Sequence, residues 1–382
     1  MSRILAAWPR ILAAWAVVAG FTAAESYAVD SDDLLRLPAG FPTPKIPADN
    51  PMRAAKVALG QRLFYDVRLS LNRSMSCASC HRQQLAFTDG RRRAVGATGE
   101  SHRRNTPALA NVAYGASLGW ANSEIRSLED QHLIPMTNRD PVELGFDQVL
   151  DARLIELNGD PIYRALIAPS FDGEANLDLV RIAQAIASFV RTLISGNSAF
   201  DRLLYFDERD AMSGAAINGM KLFFSERLGC GKCHASFNLS GPVTFEGVEA
   251  SPAVFHNTGL YDLGAGGYPL SDTGLFELTN RREDMGAFRA PSLRNIELTA
   301  PYMHDGSIES LEDVIEHYER GGRLIASGPN AGDGSGNRYK RAQVGGFELQ
   351  GDERRALLAF LRALTDLQFV TDPRFADPWA HD

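Results

Sequence analysis

The chain has 382 residues, 45% hydrophobic and 23% charged, with a formal net charge of −8. That length suffices for two domains, each with a core of its own. The acidic balance excludes duplex nucleic acid as a partner, because duplex binding needs a basic face; it suits a redox partner that offers a positive patch.

Arg3 and Arg10 punctuate a run rich in Ala, Val, Leu and Trp that ends near Phe21 and is followed by small residues. We read residues 1–28 as a signal peptide, cleaved near Ala28, with Ala23-Ala24 as a second candidate, and expect a periplasmic protein. A membrane anchor is the alternative, but Pro9 and Arg10 break the run and the remainder is short for a span. No later segment is apolar for long enough to cross a bilayer, so no span is expected in the mature chain. Removing 1–28 leaves 37 basic and 46 acidic residues, a formal charge of −9.

The four cysteines fall in two pairs, each followed at once by histidine: Cys77-Ala78-Ser79-Cys80-His81 and Cys230-Gly231-Lys232-Cys233-His234. Four cysteines in an exported chain usually suggest disulfides. This spacing instead suits two thioethers to the vinyl groups of one haem, with the adjacent histidine reaching the iron. Zinc or a redox disulfide is the competing reading. It lacks a spare cysteine or a matched histidine pair to complete a tetrahedral site. Two covalently bound haem c groups are therefore expected, held by Cys77, Cys80 and His81 and by Cys230, Cys233 and His234.

Gly60-Gln61-Arg62-Leu63-Phe64-Tyr65 precedes the first site and Gly219-Met220-Lys221-Leu222-Phe223-Phe224 the second. The shared Gly-x-x-Leu-Phe-aromatic pattern predicts the end of an amphipathic helix against each haem, and its repetition predicts an internal duplication. Residues 177–195 carry Leu177, Val180, Ala183, Ile186, Phe189, Val190 and Leu193 at helical spacing, one apolar face. A similar pattern covers 352–364, and long Gly- and Pro-containing stretches occupy 238–275 and 321–346. The expected fold is mainly α: two cytochrome c-like domains, 29–205 and 206–382, with long loops and one covalent haem each.

The segment Ser310 to Tyr318 reads as a helix, with Ser310 and Asp313 suited to its start and Gly321-Gly322 to its end. Leu311, Val314, Ile315 and Tyr318 share one face, while His317 points about 100° away. On periodicity alone Tyr318 and Trp120 are buried aromatics, and Glu143 and Gln131 lie in exposed loops.

Over roughly residues 50–370 the chain resembles the bacterial dihaem cytochrome c peroxidase and MauG superfamily. The resemblance is carried by Leu59-Gly60 to His81, Asn105-Thr106-Pro107, Ser127-Leu128-Glu129-Asp130-Gln131 and Pro141-Val142-Glu143-Leu144-Gly145. It continues through Pro291-Ser292-Leu293-Arg294-Asn295 to Thr299-Ala300-Pro301-Tyr302-Met303-His304-Asp305-Gly306. It implies an N-terminal haem that meets hydrogen peroxide and a six-coordinate C-terminal haem. A calcium ion between them would be held by Asn105 and the Thr299 and Pro301 carbonyls. It further implies Trp120 as the tryptophan between the haems, and Gln131 and Glu143 as peroxide-pocket residues, Glu143 being the proton shuttle.

Two positions discriminate among members. Where many peroxidases have a blocking histidine this chain has Ala97, and the nearest histidine is His102, so the resemblance implies an open first haem with His102 as a loop residue. Where peroxidases have methionine as outer ligand of the second haem, this chain has Tyr318, as MauG-type enzymes do. A thioether is neutral and raises the iron potential; a phenolate is anionic and stabilises higher oxidation states. Leu118-Gly119-Trp120-Ala121-Asn122, Asn257-Thr258-Gly259-Leu260-Tyr261 and Asp284-Met285-Gly286-Ala287-Phe288 resemble the MbnH branch of MauG-like enzymes. That branch implies an exported copper-binding protein as partner, with a tryptophan converted to kynurenine. The competing readings are a peroxidase drawing electrons from a small cytochrome c or cupredoxin, and a simple electron carrier. Tyr318 argues against the first and the open first haem against the second.

Overall fold

A computed structural model describes residues 34–248 and 251–380. The signal peptide expected at 1–28 lies outside the described residues. The helices of seven or more residues are α1 (Ala54–Tyr65), α2 (Leu128–Thr137), α3 (Leu150–Gly159), α4 (Pro161–Ser170), α5 (Leu179–Arg191), α6 (Ala199–Tyr205), α7 (Gly214–Phe223), α8 (Leu311–Arg320) and α9 (Gly351–Arg362). Strand structure among the described residues is limited to two antiparallel ladders of two residues a side, Phe255–His256 with Phe288–Arg289 and Leu324–Ile325 with Gly332–Asp333. The fold is mainly α with long loops, as its sequence leads one to expect.

The helix expected at 177–195 forms over 179–191. Asp178 caps its start by accepting from the Arg181 N–H at 2.7 Å. Its predicted apolar face holds except at Val180, in the first turn, which is 56% exposed. The helix expected at 352–364 forms over 351–362, its first turn closed by Gln350 and Glu353.

Two cores repeat one arrangement. In the first, α1 crosses α5 at Gly60, where a Cβ would stand 1.8 Å from the Ala185 carbonyl oxygen. In the second, α7 crosses α9 at Gly219, where a Cβ would stand 1.9 Å from the Ala356 carbonyl oxygen. Four residues on, Phe64 meets Phe189 with ring centroids 5.3 Å apart, and Phe223 meets Phe360 at 5.2 Å. The conserved glycine of each copy thus lets two helix backbones touch, and the phenylalanine fills the space beside the crossing.

The cores exchange segments across the 205/206 division. Phe200 of α6 packs into the second core. Phe369, Val370 and Phe375, near the end of the chain, pack into the first. That tail is tied down by Tyr65 Oη donating to the Phe375 carbonyl at 2.6 Å and by Gln61 Nε2 donating to the Ala376 carbonyl at 2.7 Å. Each core is therefore sealed by a piece of chain from the other side of that expected division.

Candidate active site

Both Cys-x-x-Cys-His segments close on an equivalent backbone hydrogen bond, the first as an α-helical turn and the second as a 3-10 turn. The His81 N–H donates to the Cys77 carbonyl and the His234 N–H to the Cys230 carbonyl, each at 3.0 Å. The ring Nδ1 of His81 lies 2.7 Å from the Phe87 carbonyl, and that of His234 lies 3.2 Å from the Leu239 carbonyl. Each backbone oxygen fixes the tautomer with its proton on Nδ1 and leaves Nε2 as a free lone pair. Burial lowers the pKa of both rings, His234 to about 4, so both are neutral donors. All four thiols are free of disulfides.

Around the first site the loop at 96–97 presses on Val142 and Glu143. The Ala97 N–H donates to the Glu143 carbonyl at 2.7 Å. The Glu143 carboxyl is within electrostatic reach of both Cys77 and Cys80, and burial pushes its pKa up to about 7. Its side chain is half-buried, 32% exposed. His102 stands beside it, its Nδ1 3.8 Å from Glu143 Oε1 with only 13% of the side chain exposed. Gln131, on α2, has a buried Oε1 without a hydrogen-bond partner. Its neighbour His132 is half-buried, held to the Leu128 carbonyl at 2.5 Å, and within electrostatic reach of His81.

The second site opens on a cavity lined mainly by apolar side chains, with about 230 Å³ of room for the centres of water-sized spheres. Cys230, Cys233 and His234 are on its wall, and so is Tyr318. Tyr318 is carried there by α8, which starts on the Ser310 cap (Asp313 N–H to Ser310 Oγ, 3.1 Å) and ends at Gly321 with φ +73°. The predicted face is the one used: Leu311, Val314, Ile315 and Tyr318 all line the cavity, and His317 does not. Burial raises the Tyr318 phenol well above its ordinary pKa, so it is a neutral phenol unless a cation binds it.

Trp120, Asn105, Thr299 and Pro301 lie on the same wall. Trp120 Nε1 donates to the Asn105 carbonyl at 2.8 Å, and its own carbonyl accepts from the Arg289 N–H at 2.8 Å. The Asn105 amide Nδ2 donates to the Arg91 carbonyl at 2.8 Å.

A family profile described as di-haem cytochrome c peroxidase matches residues 54–209. The methylamine utilization protein MauG of Methylorubrum extorquens is 34% identical over 371 residues, covering 94% of each chain. The chain belongs to the MauG and di-haem cytochrome c peroxidase family. Cytochrome-c peroxidase IdrP1 of a Pseudomonas species is also 34% identical, across 95% of this chain and 91% of its own. A crystal structure of a MauG-like protein associated with microbial copper homeostasis superposes with a TM-score of 0.87 at 44% identity, covering 90% of this chain and 98% of that one.

Membership makes the protein a peroxide-dependent oxidoreductase with two c-type haems. The residues present fit those groups. Each site supplies two free thiols and a neutral imidazole with its outer nitrogen unengaged. The second cavity also holds a cation that the protein alone leaves uncompensated. Arg289 lines it, donates Nε to the Gly119 carbonyl at 2.9 Å, and has its pKa lowered by burial to about 10. Among the described residues it has no acidic partner, which suits the propionate of a bound haem.

Sequence reasoning did not foresee Arg289 as part of the site, nor His102 beside Glu143. A basic residue just before the Pro291-Ser292-Leu293 segment was the available signal for the first. For the second there was none, because the contact joins loops 41 residues apart.

Proposed function

We propose that the protein uses hydrogen peroxide to oxidise its haem pair and then withdraws electrons from a tryptophan of an exported, copper-binding partner in the periplasm. The observation that carries this reading is Tyr318 on the wall shared with His234. A phenol in that place offers the second iron an anionic oxygen, which favours holding an oxidising equivalent over relaying electrons inward. The likeness to a MauG-like protein associated with copper homeostasis supports the choice of partner.

The haems supply the redox capacity, taking up two oxidising equivalents as peroxide is reduced to water. The chain supplies the rest. Glu143 is poised near neutrality by burial; it takes a proton from the proximal oxygen of peroxide and returns it to the departing one. Gln131, whose Oε1 has no other partner, accepts a hydrogen bond from the incoming peroxide. Ala97, standing where many peroxidases have a histidine, would offer the first haem no ligand. Trp120 is locked by Asn105 and Arg289 at the edge of the second cavity, as an electronic link between the haems. Asn105, with its amide nitrogen turned to Arg91, directs Oδ1 away from that bond, and with the Thr299 and Pro301 carbonyls it would give a calcium ion a neutral oxygen set.

A cytochrome c peroxidase is the second reading, favoured by the identity to IdrP1. One experiment separates them. Peroxide is added to the oxidised holoenzyme, either with a reduced small cytochrome c or with an exported copper-binding protein that carries tryptophan, and the partner's tryptophans are followed by mass spectrometry. Oxygen gain at a partner tryptophan, with slow cytochrome oxidation, supports the proposal. Fast cytochrome turnover with unmodified tryptophan supports the alternative.

A further inference from the structure

Part of the wall of the second cavity is a stacked pair. The rings of Phe288 and His304 lie 3.6 Å apart, inclined by 12°, and both line the cavity. Behind them sits Tyr268, its ring centroid 6.1 Å from Phe288 and 6.0 Å from His304. Tyr261 meets Tyr268 edge-on at 5.2 Å. Its hydroxyl donates to Asp305 Oδ2 at 2.6 Å. Both tyrosines are 4% exposed, yet the chain surfaces directly after Tyr261: Leu263 is 40% exposed and Leu270, two residues past Tyr268, is 91% exposed.

We infer that Phe288 and His304, then Tyr268, then Tyr261 form the route by which an oxidising equivalent leaves the second haem cavity for the surface formed by residues 262–270. This rests on the proposed oxidation of a protein partner and names the path for it.

Four features of the chain of contacts support it. It begins on the cavity wall and ends beneath an exposed loop, with ring-to-ring spacings that leave no gap. Tyrosine is among the side chains most readily oxidised by one electron, whereas phenylalanine and neutral histidine serve as bridges. The His304 ring stacks face to face on Phe288, the closest ring pair of the series. Lastly, a phenol loses an electron easily only when its proton has somewhere to go, and Asp305 is a nearby acceptor. Against the opposing effect of burial, the hydrogen bonds from Tyr261 and Ser307 and the Arg92 guanidinium hold the Asp305 carboxyl below its ordinary range.

The step balances within the chain. Tyr261 gives one electron through Tyr268 toward the cavity, its O–H bond breaks, and the proton passes to Asp305 Oδ2. When a docked indole supplies an electron to Tyr261, the proton returns from Asp305 and the phenol is restored. Two such passages deliver the two electrons that hydrogen peroxide requires on reduction to two waters; the two protons come from solvent, which takes up those the oxidised indole releases.

The test is freeze-quench EPR on holoenzyme mixed with hydrogen peroxide alone, with the optical spectrum of the haems recorded on the same samples. We expect a tyrosyl signal that narrows when the protein is made with ring-deuterated tyrosine. It should fall about tenfold or more in Tyr261→Phe and form about tenfold more slowly in Tyr268→Phe and in Asp305→Asn. Peptide mapping after repeated peroxide additions should find oxidation concentrated at Tyr261 and Tyr268. Full two-electron oxidation of the haems without a tyrosyl signal, or a signal unchanged in Tyr261→Phe, overturns the route while leaving the proposed function standing. Failure of the haem pair to hold two oxidising equivalents at all overturns both.

Discussion

Glu143 is surrounded so that burial, with no compensating cation, pushes its carboxyl up to about 7. A proton shuttle must be ionised to receive the first proton from peroxide, so the reaction with peroxide should slow as pH falls below 7. The slope should approach about tenfold per pH unit, and Glu143→Gln should lower the rate about a hundredfold or more and flatten the profile. Stopped-flow traces at the haem band measure this; a Gln variant that keeps the wild-type profile would remove Glu143 from the role. The same shift has a sign for stability. The folded-state pKa lies above the ordinary 4.5, so the folded chain holds this proton more tightly. Its contribution is full below about 4.5 and is lost as pH rises through about 7. The residue types were readable from the sequence, but their states were not. Glu143 looks like a loop carboxylate until its backbone contact with Ala97 and the nearby His102 ring are seen.

Among the elements, the paired crossings of α1 with α5 and of α7 with α9 invite a matched experiment. A methyl at Gly60 or Gly219 would fall within 2 Å of a carbonyl oxygen that belongs to another helix backbone and cannot step aside alone. Gly60→Ala and Gly219→Ala should therefore each destabilise the holoprotein by about 1–3 kcal/mol, despite alanine's better helix propensity. Chemical denaturation gives the comparison, and a neutral or stabilising effect in either would contradict a backbone contact there. The Gly-x-x-Leu-Phe repeat was legible as a duplication because it is local. Its physical cause was not, since Ala185 and Ala356 lie more than a hundred residues away. α8 was legible in full because its cap, face and stop signal are contiguous from Ser310 to Gly321.

Across the whole molecule the second core is anchored by an ion pair that water scarcely reaches. Arg294 grips Asp201 through two bonds of 2.8 and 2.9 Å, the two side chains being 1% and 0% exposed. Arg294→Met leaves Asp201 buried without its cation and should cost about 3–5 kcal/mol; adding Asp201→Asn should recover part of that loss. No recovery in the double variant would mean that the pair is not the source. Contacts of this kind, like Arg289 on the cavity wall and the Tyr268–Tyr261 series, join distant loops that carry no periodicity, so nothing in the sequence announces them. The haem attachment sites were the opposite case, each declared by a short contiguous motif, whereas Tyr318 was a buried aromatic on periodicity and a ligand only by family resemblance.

The account turns on what binds the second iron opposite His234, and resonance Raman of the oxidised holoenzyme reads that directly. We predict tyrosinate ring modes that shift with ring-deuterated tyrosine and vanish in Tyr318→Met. A wild-type spectrum with no such modes, showing sulphur or a second imidazole on that iron, would contradict the account.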